Sequence, residues 1–491
     1  MSALSGPATA SILSFLFAAT TLPAQSNLAA DASAGLSKIR IVRLSEVRGT
    51  AQMDRGTGRG FEAAMQNLPI VESSQVETGF GVAEIEFEDN STVRLGPNSA
   101  VEFPLLERRT SGTTVTAVRV LRGMAYVTLT KTPAASKEFT LLFGPEKLPL
   151  APDSHIRLEM NGDGATVAVL GGSVEVNGAD GVVAVPSKRT IRFAFAPNTE
   201  AVAAKGIAPY ALDSWDKQST DYHARVATMT AFGSAPYSYG LNDMGYYGSF
   251  MDGGSCGMMW RPYFASADWN PYANGTWAWY SGAGYSWVSP YPWGWMPYHY
   301  GSWSYCPGSG WGWMPGGGWN GIANVPANGP LSGHIVGIGS NPRFPHPPTQ
   351  PPRAGEPTLK AVNLSPLVSS EVRNGTFVFR RDSAGLGIPR EGLGGLSGFS
   401  HDTLRRGMAS TPIYLSAGSG GETSRVAGRT TAQELAPVTV HRGYAPAPAF
   451  SSEPVFSSPG GSSSQPTVSL GTSGHTGGAA PAGGGGEAHT H

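Results

Sequence analysis

The segment Val82-Ala83-Glu84-Ile85-Glu86-Phe87-Glu88-Asp89-Asn90-Ser91-Thr92-Val93-Arg94-Leu95 alternates apolar and polar residues on both sides of a short polar turn. Acidic residues, Asn and Ser favour turns, so the segment predicts a β-hairpin. Further strands are predicted at 115–121, 124–129, 156–160, 166–169 and 173–176. A strand about every ten residues, without helical periodicity between strands, is typical of a sandwich or a β-solenoid rather than a βαβ sheet.

Three carboxylates in this segment share one face of the first strand. Glu84, Glu86 and Glu88 lie two residues apart, and side chains at that spacing point to the same side. Together they could gather a cation. Because charged side chains are mostly exposed, we instead expect a solvated outer face.

Several pieces of this region resemble the FecR domain. They are the hairpin segment itself, Val76-Glu77-Thr78-Gly79, Gly96-Pro97-Asn98-Ser99, Leu121-Arg122-Gly123 and the closing Val169-Leu170-Gly171-Gly172-Ser173-Val174-Glu175-Val176. The resemblance implies an all-β module at residues 38–195, located in the periplasm or outside the cell. One departure from the family pattern is Asp153-Ser154-His155-Ile156, which stands where the family has G-T-x-F.

A second departure from the FecR family concerns the parts of the protein that carry a signal across the membrane. The regulators that give the FecR family its name have a cytoplasmic helical region and a transmembrane helix, and we expect neither in this chain. The resemblance therefore implies the all-β module and not the role of a transmembrane regulator. A sensor role would need a separate membrane protein as partner.

An aromatic repeat follows the predicted module. Of the 12 tryptophans, all but Trp215 lie between Trp260 and Trp319. The pattern W-x-P-Y-x-x-G-x-W occurs at 269–277 and again, 26 residues later, at 295–303. Glycine-rich connections predict one hairpin over 277–288 and an equivalent hairpin over 303–313.

This region, at 237–320, resembles an uncharacterised Trp-rich repeat found in bacterial envelope proteins, commonly behind a FecR domain. The residues that carry the resemblance are Pro292 to Trp303 and the lead-in Gly240 to Gly248. The resemblance implies export and co-occurrence with a FecR domain. It implies no particular activity, because none is known for the repeat.

The tryptophans allow two interpretations. Aliphatic residues are nearly absent here, so indole rings could form the core. Trp277, Trp303, Trp287 and Trp313 hold equivalent repeat positions and are the core candidates. Exposed rings could instead stack on sugars or on a partner protein. Trp269, Trp279, Trp293 and Trp295 are the candidates for ligand binding, and His299 is expected to pack and hydrogen-bond rather than to bind a ligand.

The ends of the chain have a different composition. An apolar run at 12–19 followed by small residues predicts a signal peptide within 1–34. A linker at 196–236 contains a helical candidate at 208–228. Residues 321–491 are rich in Pro, Gly and Ser and are expected to be mostly disordered, with an ordered island near 375–416.

Charge and cysteine content narrow the function. The net charge is −1, which argues against nucleic-acid binding. In an exported protein, Cys256 and Cys306 are candidates for a disulfide, the alternative being two unrelated thiols. No catalytic motif and no metal or cofactor site is recognised.

The sequence therefore predicts a mainly β, exported, non-enzymatic structural or interaction protein of the periplasm or cell surface. Alternatives are a glycan-binding or cell-wall-binding module that uses exposed Trp side chains, and an extracytoplasmic sensor subunit. The expected partners are a surface polysaccharide or an envelope protein. No membrane span is expected in the chain itself.

Overall fold

The structure is a computed structural model that describes residues 39–131, 136–178, 181–197, 199–225, 232, 235–324, 345–390 and 392–413. The expected signal peptide at 1–34 and the expected disordered tail beyond residue 413 lie outside these ranges. Within them, no helix is both long enough and apolar enough to cross a bilayer.

A sheet of 14 strands forms the first part of the molecule. Its strands are β1 Val42–Asp54, β2 Glu62–Ala63, β3 Pro69–Ile70, β4 Gln75–Glu86, β5 Thr92–Leu95, β6 Ala100–Arg108, β7 Thr114–Arg122, β8 Met124–Thr128, β9 Lys137–Phe143, β10 Glu146–Leu150, β11 His155–Asn161, β12 Gly164–Gly171, β15 Arg189–Ala194 and β16 Val202–Lys205. A separate hairpin, β13 Ser173–Gly178 with β14 Gly181–Pro186, lies between β12 and β15.

The pairing of these strands decides between the two expected architectures. In the described part of the sheet, β7 and β9 are the one parallel pair, and the other neighbouring strands are antiparallel. A parallel β-solenoid stacks parallel strands, so the mostly antiparallel pairing of this single 14-stranded sheet argues against that alternative. The predicted hairpin is confirmed as β4 and β5, with Glu84 opposite Arg94 and Ile85 opposite Val93.

The short helix predicted from sequence is also confirmed. Helix α1, Asp213–Ala224, lies inside the predicted range 208–228 and buries Trp215. Its first turn carries Asp213 and Asp216, and negative charge at this end interacts favourably with the helix dipole. Three more helices follow: α2 Leu241–Tyr247, α3 Met296–His299 and α4 Leu396–Arg406.

Two small sheets build the Trp-rich region. One contains β17 Gly248–Asp252, β18 Met258–Pro262, β21 Ser302–Cys306 and β22 Gly310–Met314; the other contains β19 Asn274–Tyr280, β20 Gly284–Val288 and β23 Leu359–Asn363. Both predicted hairpins are present. Trp277 pairs with Trp287 in one, and Trp303 pairs with Trp313 in the other.

The repeated glycine has the same packing role in both hairpins. A Cβ on Gly275 would run into the ring of Trp287, and a Cβ on Gly301 would run into the ring of Trp313. The two repeats also meet each other, because the Tyr298 hydroxyl donates to the carbonyl oxygen of Pro271 at 2.5 Å. In both repeats, the glycine of the W-x-P-Y-x-x-G-x-W pattern therefore leaves room for the ring of a tryptophan on the opposite strand of the hairpin.

Order in the C-terminal part begins earlier than the sequence predicts. The sequence predicts an ordered island near 375–416, and β25 Thr376–Arg380, α4 and β26 Met408–Pro412 lie within it. Strand β24, Glu371–Arg373, lies just before it and pairs with β25. Strand β23 precedes this island, in the part of the chain that the sequence predicts to be disordered. This strand is stabilised by its pairing with β19, in which Asn363 lies opposite Asn274, and it completes the sheet of the first Trp-rich hairpin.

The two cysteines are joined. Cys256 follows β17, Cys306 ends β21, and their Cα atoms lie 6.2 Å apart in a disulfide that spans 50 residues. The separation is within the usual range for a disulfide. The bond closes the loop that carries most of the aromatic repeat.

The glycine role predicts a steric effect. Gly275→Ala should lower the free energy of unfolding by about 1–3 kcal/mol, because the new methyl group would displace the Trp287 ring in a packed core. Urea denaturation followed by Trp fluorescence measures this. Gly318→Ala is the control, since a Cβ there meets no atom within 4 Å. Equal stability of the two variants would contradict the packing role.

Candidate functional site

Three of the four tryptophans expected to bind a ligand are interior residues. Trp269, Trp293 and Trp295 are buried, so the expectation of exposed aromatic platforms is wrong for them. Trp279 is half-buried and lies edge-on to Tyr285, with ring centroids 5.0 Å apart. It is the one candidate of the four that retains an accessible edge, and its binding role stays a prediction.

The buried rings contact one another directly. Trp293 lies 5.1 Å from Trp260, 5.9 Å from Trp269 and 5.7 Å from Trp303, measured between ring centroids. Edge-to-face contacts of this kind stabilise a core beyond the area that they bury. The four repeat-equivalent tryptophans are buried as predicted. The aromatic cluster is therefore a hydrophobic core in a region with few aliphatic side chains.

His299 is a packing residue, as expected. Its Nδ1 lies 2.7 Å from the carbonyl oxygen of Gly321, and its Nε2 lies 3.3 Å from the Asn324 amide nitrogen. The arrangement fits a neutral ring that donates through Nδ1 and accepts at Nε2. Burial lowers the pKa of His299 to about 3, against the ordinary value of 6.5.

The three carboxylates expected on a solvated face are buried instead. Glu84 and Glu86 have no exposed surface and Glu88 has little. The alternation of β4 is real, but the outer face of this strand is covered by helices α1 and α2 and by the chain around Arg390. The expectation is wrong because alternation shows which residues share a face and not what covers that face.

Glu84 is the centre of this buried charge. Its carboxylate lies 2.8 Å from Arg94 Nε, 2.5 Å from Arg390 Nη1 and 3.0 Å from His223 Nε2. The Ser45 hydroxyl also donates to it at 2.7 Å. Burial by itself would raise the pKa of Glu84, but His223, Arg390 and Arg94 hold it well below its usual value. The group is therefore a paired carboxylate and not a poised acid.

Further buried ion pairs lie next to Glu84. Arg43 contacts Glu86 at 2.9 Å and Asp243 at 2.7 Å. Asp243 also contacts Arg390 at 3.1 Å. The name ionic cluster is used below for the following side chains: Arg43, Glu84, Glu86, Arg94, Asp216, His223, Asp243 and Arg390.

Helix α1 is tied to the sheet by the same cluster. Asp216 lies 2.8 Å from Arg94 Nη1 and 2.7 Å from His155 Nε2. His155 belongs to the segment that departs from the FecR pattern. The departure therefore has a structural role here, because it supplies a partner for the helix that follows the module.

The cluster also reaches the Trp-rich region through the backbone. Arg43 Nη2 donates to the carbonyl oxygen of Pro292 at 2.7 Å. The Asn67 amide donates to the carbonyl oxygens of Ser289 and Tyr291 at 3.0 and 2.7 Å. The sheet, α1, α2 and the C-terminal segment thus meet around one set of charges.

A cavity of about 420 Å³ opens beside the cluster. Strand β1 lines one wall, and the segment between β24 and Ile413 lines the other. Arg390 belongs to both the cavity wall and the ionic cluster. The cavity was not predicted, since its walls are more than 300 residues apart in sequence. Among the described residues, no group of three or more His, Cys, Asp or Glu side chains is arranged to hold a metal ion.

Removing the central carboxylate should be costly. Glu84→Gln removes the negative charge that Arg94, Arg390 and His223 share, and leaves Asp216 and Asp243 as the remaining counter-charges of the two arginines. Because the cluster is buried, we expect the free energy of unfolding to fall by about 3 kcal/mol. Urea denaturation at pH 7 measures this. Glu138→Gln removes an exposed pair with Arg109 and should change stability by less than ~1 kcal/mol. A Glu84→Gln effect as small as that control would contradict a central role for Glu84.

The pKa of His299 predicts a pH dependence. The folded value of about 3 lies below the ordinary 6.5, so the unfolded chain binds the proton first. The stability due to neutral His299 is complete above pH 6.5 and is lost as the pH falls towards 3. We expect His299→Gln to reduce the fall in unfolding free energy between pH 7 and pH 5, measured by urea titrations at each pH. An unchanged slope would contradict this.

Comparison with known proteins covers two parts of the chain. Residues 74–185 match the family described as FecR protein, and residues 241–329 match a family of unknown function, DUF6600. Strands β1 to β3 precede the first match, although they belong to the same sheet. No curated protein matches the chain.

Two crystal structures of a protein described as an anti-sigma factor from Parabacteroides distasonis are also similar. Each has 16% sequence identity and a TM-score of 0.24, and the match covers 29% of this chain and 63% of that chain. The match therefore spans less than two thirds of the solved protein, and a likeness this distant carries no inference about function. The chain contains a FecR domain at residues 74–185, followed by a DUF6600 region at residues 241–329.

Proposed function

We propose that this protein is an exported, non-enzymatic component of the cell envelope that acts by binding through a preformed, rigid surface. The ionic cluster is the observation that carries the proposal. It joins the FecR domain, helix α1, the DUF6600 region and the segment around Arg390. A body held together in this way presents surfaces built from several segments, and it has little freedom to move them relative to one another.

The chemistry of the buried groups supports a structural role. The carboxylates that could act as acids or bases are engaged by arginines, and Glu84 is held in its charged form. His299 is neutral and enclosed. A catalytic acid or base needs a pKa near the working pH and access to substrate, and these groups have neither.

The disulfide supports export. Disulfides persist in the periplasm and outside the cell and are rare in the cytosol. Cys256 and Cys306 are paired in the DUF6600 region, and the described residues contain no free cysteine. The FecR match adds a second candidate function, a sensor subunit outside the cytoplasm that acts together with a membrane protein. A glycan-binding role is less well supported, because Trp269, Trp293 and Trp295 are buried.

Export predicts the oxidation state of the cysteines in the living host. Cells producing the protein at its natural level are lysed in acid and treated with a maleimide polymer that adds mass to each free thiol. We expect no mass shift before reduction and two additions afterwards, since the pair forms in an oxidising compartment. Cys256→Ser is the matched control and should take up one polymer without reduction.

Two free thiols in the unreduced wild-type protein would contradict export and the disulfide together. A protein recovered in the cytosolic fraction would contradict the envelope location. Co-purification with a membrane protein in mild detergent, lost on deletion of that protein's gene, would favour the sensor role over the structural one.

A further inference from the structure

Strand β16 is an open edge of the large sheet. It lies at one end of the strand order, where β15 is the one described strand that pairs with it. All of its residues are exposed, and Val202 keeps 62% of its surface in solvent. In an antiparallel pair only alternate residues hydrogen-bond to the neighbouring strand. The amide and carbonyl groups of the other residues of β16 therefore point away from the sheet.

The opposite edge of the sheet is protected. Strand β10 contains Pro149, which has no amide hydrogen to donate to a further strand. Leu148 and Leu150 on this strand are buried, and β10 also contacts strand β13. Proline and coverage by another element commonly prevent a sheet edge from pairing with a second chain. Strand β16 contains no proline and its residues are exposed, so it is the more open of the two edges.

Positive charge gathers at this open edge. Arg189 lies directly opposite Lys205, and Arg192 lies opposite Val202. Cross-strand neighbours share a face of the sheet, so both faces of the β15–β16 pair carry cations. Lys188 precedes Arg189 and is exposed as well. The name basic edge is used below for Lys188, Arg189, Arg192 and strand β16. Like charges opposite each other destabilise a strand pair, so fold stability does not explain Arg189 and Lys205.

The cations of the basic edge lack ion-pair partners. Within the described part of the chain, none of the four forms an ion pair with an acidic side chain. Exposed arginines elsewhere in the same sheet are paired: Arg119 lies 3.3 Å from Glu102, and Arg122 lies 3.0 Å from Glu77. The positive charge of the basic edge is therefore available to anionic groups of another molecule.

We propose that the basic edge binds an extended, acidic segment of a partner protein, which adds to the sheet as a strand beside β16. Two observations select this chemistry. The open backbone edge is complementary to another extended peptide, because strand addition is held by main-chain hydrogen bonds. The cations on both faces are complementary to Asp and Glu side chains of that peptide.

The same charges argue against a second copy of this chain as the added strand. Pairing two β16 strands would place Lys205 of each copy beside the cations of the other, and like charges across a strand pair are destabilising. Lysine on an edge strand is a common means of preventing such self-association. The basic edge therefore rejects a like edge and favours an acidic one.

A synthetic peptide of alternating Glu and Thr residues tests the charge requirement. Its binding to the full-length, disulfide-bonded protein is measured by fluorescence anisotropy. We expect saturable binding that weakens as the ionic strength rises from about 0.05 M to 0.5 M, because salt screens exposed charges. A peptide of alternating Gln and Thr residues is the matched control and should not bind. No binding of the acidic peptide, or equal binding of the two peptides, would overturn the inference.

Methylation of the peptide backbone tests strand addition. Alternate amides of an extended peptide point to opposite edges, so one version is methylated at every Glu amide and another at every Thr amide. Both versions keep the charge of the parent peptide. We expect at least one of them to bind ~10-fold more weakly or worse, because it loses its main-chain hydrogen bonds to β16. Full binding of both versions would indicate a site for anions in general, such as acidic polysaccharides, and would overturn strand addition.

Variants of the protein locate the site. Lys205→Gln combined with Arg192→Gln should raise the dissociation constant of the acidic peptide ~10-fold, since two charge contacts are lost. Lys147→Gln combined with Arg109→Gln is the matched control. It makes the same two changes at exposed positions, on β10 and in the turn after β6. This control should bind like the wild-type protein. Equal binding by the two double variants would contradict a site at the basic edge.

The inference rests on the proposed binding role and names the kind of partner for one surface. Absence of peptide binding would overturn the strand-addition site and leave the thiol measurement in the host unaffected. A cytosolic protein with reduced cysteines would overturn the proposed location and leave the peptide measurements standing. The two failures are therefore distinguishable.

Discussion

A buried carboxylate, that of Glu84, governs how the segments of this chain come together. A charge removed from water is tolerated only when its counter-charges are in place, because an unpaired buried charge costs several kcal/mol. Arg94 comes from the same sheet, His223 from helix α1 and Arg390 from the segment after the DUF6600 region. Loss of any one of these elements leaves Glu84 short of a partner. The FecR domain is thus not an independent module in this chain.

The aromatic core and the ionic cluster meet at strands β1 and β3. Arg43 on β1 binds the backbone of Pro292, and the Tyr280 hydroxyl donates to the carbonyl oxygen of Pro69 on β3 at 2.6 Å. Both strands precede the segment that matches FecR. The residues in front of the matched domain therefore join it to the Trp-rich region, and a chain cut at the boundary of the match would lose that connection.

Sequence patterns predicted the hairpins, whose strands are close in sequence. They did not predict which side chains are buried by contacts with distant parts of the chain. The β4–β5 hairpin follows from alternation, and the pairing of Trp277 with Trp287 follows from the repeat, since both involve near neighbours in sequence. The burial of Glu84 could not be predicted, because Arg390 lies 306 residues away. The burial of Trp293 has the same cause. Its indole nitrogen donates at 2.6 Å to the carbonyl oxygen of Ala384, which lies 91 residues further along the chain.

Arg390 belongs both to the ionic cluster and to the wall of the cavity. Arg390 neutralises Glu84 on one side and lines the cavity beside β1 on the other. A group that enters this cavity removes water around Arg390 and strengthens its attraction to Glu84 and Asp243, since ion pairs strengthen as the local dielectric falls. Binding at the cavity should therefore tighten the contacts that hold the four segments together. Such a coupling between an occupied surface and the stability of the fold fits the proposed role in binding.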